Sequence, residues 1–112
     1  MKVEYNGIEF NGLDHLVTGT DLRSMRLKGR QTTVEMAELV GIKTRKTIEN
    51  WETNKGQPSL NQFILLALKS GFEPGLLISE YLRRGSTSIA DADPNQINWD
   101  ACRIAEMAEM AD

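Results

Sequence analysis

Residues 33–60 read TVEMAELVGIKTRKTIENWETNKGQPSL, and this stretch decides the fold. It divides at Gly41 into two short helices. Thr32 or Thr33 caps the first, expected over Thr33 to Val40, with Val34, Ala37, Leu39 and Val40 packing. Gly41 stands where a left-handed residue closes that helix. Thr44 caps the second helix, which ends near Asn54, a residue that tolerates left-handed backbone. Ile48 and Trp51 share one face of the second helix; Arg45, Lys46, Thr47 and Asn50 share the other. A short helix clamped on one side, with cations and an amide on the other, suits the DNA major groove.

Upstream, Thr20-Asp21 starts a helix with Thr20 as its N-cap. Leu22 and Met25 face inward, with Leu27 a further candidate for that face, Arg23, Arg26, Lys28 and Arg30 face out, and Gly29 ends it. Downstream, Pro58-Ser59 opens a helix over Leu60 to Ser70. Its apolar residues (Phe63, Ile64, Leu66, Ala67, Leu68) nearly encircle it, which predicts the central core helix. Gly71 ends it, and Pro74 starts a fifth helix to about Arg84. At the N-terminus, VEYNGIEF (3–10) alternates around Asn6-Gly7, the preferred two-residue turn of a β-hairpin. GSTSIADAD (85–93) has linker composition. Asp93-Pro94 then predicts a C-terminal helix over Asn95 to Met110, with a stripe of Ile97, Ala101, Ile104, Ala108 and Ala111. The expected architecture is mainly α: a hairpin and loop over 1–19, a five-helix domain over 20–84, and a linker with an acidic C-terminal helix over 85–112.

The chain has 112 residues, 40% apolar and 26% charged, which allows one domain with a modest core. No apolar run approaches the ~20 residues a membrane helix needs, and the start does not read as a signal peptide. A lone cysteine, Cys102, forms no internal disulfide, so a reducing cytoplasm is expected. The net charge of −3 is unevenly spread. Between Asp21 and Lys55 eight cations face five acids, whereas from Ser86 onward Arg103 alone opposes six acids. Binding follows the local field, so the basic body rather than the total decides the partner.

The inventory offers little chemistry. His15 is the single histidine, which excludes a multi-His or multi-Cys metal cluster. Cys102 reads as a small apolar residue. Asp91 and Asp93 lie in the linker, where nothing desolvates them. Met107 and Met110 read as helix packing, and no glycine-rich phosphate loop is present. No enzymatic activity, metal or cofactor is expected.

Leu22 and Arg26, then Ala37, Leu39 and Gly41, then Ile48, Trp51 and Glu52, then Pro58-Ser59-Leu60 form a pattern across about half the chain. Residues from about Leu22 to Leu77 resemble the Cro/repressor (XRE-type) helix-turn-helix family of bacteria and phages. The resemblance implies a repressor-like DNA-binding domain whose second short helix reads bases. Arg45, Lys46, Thr47 and Asn50 would face the groove, with Lys43 and Thr44 at its start. By the same resemblance the loop with Asn54 and Lys55 grips the phosphate backbone. Thr33 and Gln31 offer a hydroxyl and an amide to a phosphate, or Thr33 simply caps its helix. Glu52 pairs with Arg26. Two departures stand out: the interval from Gly41 to Trp51 is one residue longer than the family's usual spacing, and Thr33 or Val34 replaces the polar residue, commonly Gln, that opens the second helix.

The expected function is that of a sequence-specific transcriptional regulator of phage, prophage or plasmid type, acting in the cytoplasm on the nucleoid. It would bind a palindromic operator as a homodimer, joined through either the C-terminal stripe or the hairpin. An alternative is an autoregulating antitoxin whose acidic C-terminal segment covers a basic toxin.

Overall fold

The structure, a computed structural model, describes residues 16–85 and 92–104, together with the backbone of two short strands near the N-terminus. It is mainly α. Five helices follow in order: α1 (Gly19–Lys28), α2 (Thr33–Leu39), α3 (Arg45–Glu52), α4 (Leu60–Lys69) and α5 (Pro74–Arg84). Strands β1 (Lys2–Tyr5) and β2 (Ile8–Asn11) pair antiparallel, Val3 opposite Phe10 and Tyr5 opposite Ile8. The Asn6-Gly7 turn and the side chains of this ladder lie outside the described residues, so the expected N-terminal hairpin stays a proposal.

The helix starts are made by local polar contacts. Thr18, not Thr20, caps α1: its N–H donates to Asp21 Oδ2 at 2.9 Å and its hydroxyl accepts from the Asp21 N–H. Thr32 with Glu35 and Ser59 with Gln62 make the same reciprocal box at α2 and α4. The first residue of α1 is a glycine because no side chain fits there. A Cβ on Gly19 would lie 2.5 Å from the Trp51 and Glu52 carbonyl oxygens.

The helix ends are equally uniform. After α2, Gly41 takes φ 73°, the Ile42 N–H donates to the Ala37 carbonyl and the Gly41 N–H to that of Glu38. This paired closure recurs after α3 at Asn54, after α4 at Gly71 and after α1 at Arg30. In α1 the left-handed residue is Arg30, at φ 57°, one position beyond the expected Gly29. Gly29 answers a packing demand instead, since its Cβ would meet the Ser70 Cα at 2.5 Å.

One core joins all five helices, from Leu22, Met25 and Met36 through Ile48, Trp51 and Phe63 to Leu77 and Tyr81. Met36 takes the inward place expected of Val34, which is 48% exposed, and Leu27, the further inward candidate of α1, is 51% exposed. Helix α4 is not encircled: Phe63, Leu66 and Ala67 are buried while Leu65 and Leu68 face solvent.

The expected C-terminal helix is overturned over residues 95–104. Two 3-10 turns, Pro94–Gln96 and Asp100–Cys102, replace it. In a helix Ile97 and Trp99 would point ~200° apart, yet both are buried here, together with Cys102. Trp99 packs against Phe72 at 5.4 Å and Tyr81 at 6.5 Å between ring centroids, and its indole N–H donates to the Pro94 carbonyl. The chain then runs antiparallel to the α4–α5 turn: the Glu73 N–H donates to the Cys102 carbonyl and the Ile104 N–H to that of Gly71. Residues 92–104 are therefore a strap completing the core, and the boundary expected at residue 85 does not separate them from it. Ile97 is consumed inside this core and does not belong to a free dimerisation stripe. Of the rest of that stripe, Ala101 is exposed and Ile104 half-buried, while Ala108 and Ala111 lie outside the described residues.

A buried guanidinium ties these parts together. Arg84 donates two bonds of 2.7 Å to Asp21, and further bonds to the carbonyls of Leu16 and Asp93. The entry to α1, the end of α5 and the start of the strap thus meet at one side chain. Each charge is compensated where it is desolvated.

Trp99→Ala should lower unfolding free energy by roughly 3–5 kcal/mol, read by denaturant melts, because it opens a cavity in a shared core. A residue on a detached tail would cost almost nothing. The strap also has an acid limb. Glu80 accepts from Arg83 and from the Asn98 N–H, and the Arg83 bond chiefly holds its carboxyl below the ordinary 4.5. A folded value below the unfolded one stabilises above about pH 4.5, and that contribution is lost as pH falls through the folded value. Parent and Glu80→Gln melts should therefore differ at neutral pH and converge on acidification.

Candidate nucleic-acid interface

Helix α3 is eight residues long, too short to persist alone in water. Packing on α1 and α2 holds it. Ile48 and Trp51 are buried beneath it, and Ala37 of α2 is buried at the same junction. At its end Arg26 of α1 reaches Glu52 with a two-toothed grip, Nε to Oε2 at 2.7 Å and Nη2 to Oε1 at 3.0 Å. The remaining Arg26 nitrogen donates to the Gln31 carbonyl, so α1, α3 and the α1–α2 loop are joined. The hydrogen bonds that Arg26 donates to Glu52 hold its guanidinium above the ordinary value. Asn54, just past α3, accepts from the Gly19 N–H at 2.8 Å and pins the same end to the start of α1.

The opposite face is open. Arg45 and Lys46 are exposed and Thr47 and Asn50 half-buried, with exposed Lys43 and Thr44 before the helix and exposed Lys55 after it. The structure thus places eight of the nine expected residues on α3 and its two flanks, Asn54 included, and Thr33 on α2. Thr44 occupies the N-cap position, but its hydroxyl makes no capping bond, unlike those of Thr18, Thr32 and Ser59. Arg45 and Glu49 sit 3.7 Å apart on the surface, a pair worth only a few tenths of a kcal/mol. Lys43, Lys46 and Lys55 form no ion pair with a described residue.

Two expected contacts are redirected. The Asn54 oxygen is committed to Gly19, leaving only its amide nitrogen to a partner. Gln31 is turned to its own loop, donating to the Gly29 carbonyl at 3.0 Å, and is not presented at the α2 start. Thr33 is the first residue of α2 and half-buried, while Thr32 does the capping. The sequence reading missed Asp21 and Arg84, whose pairing spans 63 residues and leaves no local pattern.

The described residues gather no group of three His, Cys, Asp or Glu side chains fit for a metal. Burial pushes the Cys102 thiol up to about 11, so it stays protonated at neutral pH and is a poor nucleophile. Among the described residues no helix is long and apolar enough to cross a membrane. Comparison with protein-family models, with curated proteins and with solved structures finds no match to this chain.

Arg26→Ala should cost on the order of 2–3 kcal/mol of stability, because it leaves the Glu52 carboxylate mostly buried and unpaired. Arg45→Ala, removing one exposed partner, should stay within ~0.5 kcal/mol. Equilibrium urea unfolding of the two variants measures the contrast.

Proposed function

We propose that this chain is a sequence-specific DNA-binding transcriptional regulator with a repressor-like helix-turn-helix, α3 being the base-reading helix. The observation that carries this reading is the division of α3: one face locked by Ile48, Trp51 and Glu52, the other open and bearing Arg45, Lys46, Thr47 and Asn50 between Lys43 and Lys55. The resemblance of residues 22–77 to the Cro/repressor family supports it. Asn50 can offer a donor and an acceptor to adenine, and Arg45 or Lys46 can donate to guanine. Lys43, Lys55 and the Thr33 hydroxyl suit phosphates, which position without reading sequence. Thr44 can serve either way.

A helix of this length contacts few base pairs. Useful affinity then calls for a homodimer on an inverted repeat, its half-sites ~34 Å apart. The N-terminal hairpin belongs to this reading as an addition to the helical domain. The reading assigns the protein to the cytoplasm, on the nucleoid, and requires neither cofactor nor catalysis.

Selection from a random duplex pool should enrich an inverted repeat. On that site Asn50→Ala should lose about 1–3 kcal/mol while random DNA is bound nearly as before. Lys55→Ala should weaken both equally and flatten the salt dependence, since a phosphate contact releases counterions without discriminating. Replacing Arg45, Lys46 and Asn50 together without loss of specific binding would refute α3 as the reader.

A further inference from the structure

An open groove of 390 Å³ lies between the chain entering α1, the α3–α4 loop, the start of α4 and one residue of α5. Leu16, Val17, Trp51, Leu60, Phe63 and Ile78 supply most of its apolar wall. Leu60 is 66% exposed, so this wall meets water, a cost that a covering segment would remove.

We propose that the groove is the docking site of the chain's own first fifteen residues. Three observations select this occupant. The segment joins the domain at the groove itself, since Leu16 and Val17 are wall residues and residue 15 directly precedes them. Its connection is short: with four residues, 12–15, between them, Asn11 of β2 lies at most about 18 Å from Leu16, which holds the strands near this side of the domain. Its composition fits. Val3, Tyr5, Ile8 and Phe10 are its apolar strand residues, and the register sets Val3 opposite Phe10 and Tyr5 opposite Ile8. By the pleat, all four positions share one face of the ladder. Two strands alone are marginal in water and need such a face covered.

The groove reaches Trp51 and Asn54 at the end of α3. A docked segment therefore braces the same end of α3 that Arg26 and Gly19 hold. This inference concerns packing and stands independently of what α3 binds.

A nitroxide at Glu9→Cys in the full chain tests it, Glu9 lying on the face opposite the apolar four. Burial shields Cys102 from the label. Amide signals of Gly56, Leu60 and Ile78 should broaden strongly, and those of Thr33 and Leu39 on α2 weakly. Adding Phe10→Ser to the labelled chain should abolish the difference. Uniform or absent broadening, or broadening that survives Phe10→Ser, overturns the proposal. A mixture of labelled unenriched protein with unlabelled nitrogen-15 protein should show no broadening at the groove. Broadening there would make a second copy's segment the occupant and overturn docking within the chain.

Discussion

The grip of Arg26 on Glu52 is the constraint on which the use of α3 depends. An eight-residue helix contributes little stability of its own, so its position is whatever its neighbours impose. Ile48 and Trp51 supply the adhesion, but apolar contact is non-directional and permits sliding or rotation. The guanidinium fork is directional. Its two bonds to one carboxylate, with a third to the Gln31 carbonyl, fix rotation as well as distance. Its side chains are only 13% and 9% exposed, so water does not substitute for it. The Arg45–Glu49 contact on the outer face has the opposite character: long, solvated and weak, it leaves Arg45 free to change partner at little cost.

The Gly19 contact completes this support and shows why glycine positions mislead a reader of sequence. Glycine serves either a positive φ or a close approach, and the letter does not say which. At Gly41 the turn demands φ 73°, and the position after an amphipathic helix reveals it. At Gly29 the same local cue points to a left-handed residue, yet the demand is the proximity of Ser70, and Arg30 carries the positive φ instead. Proximity depends on α4, forty residues away, and has no signature in the neighbouring sequence.

The same division separates what was legible from what was not. Helices α2 and α3, their junction at Gly41, the left-handed Asn54 and the Arg26–Glu52 pair follow from periodicity, local chemistry and the resemblance. The open face of α3 was legible for the same reason, because burying Ile48 and Trp51 leaves Arg45 and Lys46 outside. The C-terminal segment was not. The good helix formers between Asn95 and Met110 lie mostly from Ala101 onward, whereas Asn95, Asn98 and Asp100 are poor ones, and propensity is in any case a weak prior against tertiary burial. Phe72, Tyr81 and Trp99 form an aromatic cluster that a helical stripe through Ile97 and Ala101 cannot complete, since that stripe turns Trp99 away. Burying both Ile97 and Trp99 outweighs the helical bonds forgone. Asp93-Pro94 still starts a turn, as its chemistry requires, but only a 3-10 one.

The cations of this acidic chain divide by type as well as by place. The ones that hold the fold are arginines: Arg26 on Glu52, Arg84 on Asp21, and Arg83 on Glu80. A planar fork suits this work because it satisfies a carboxylate at two points in a desolvated setting. Around α3 the cations are mostly lysines, with Lys43, Lys46 and Lys55 exposed and unpaired with any described residue. A lysine ammonium is strongly hydrated and positions a point charge without fixed geometry. Under the proposed reading such charges at Lys43 and Lys55 suit a phosphate backbone, where register comes from several tolerant contacts, whereas base reading would fall to Arg45, Lys46 and Asn50. The net charge of −3 therefore counts arginines already spent on internal carboxylates, and says little about the field at α3.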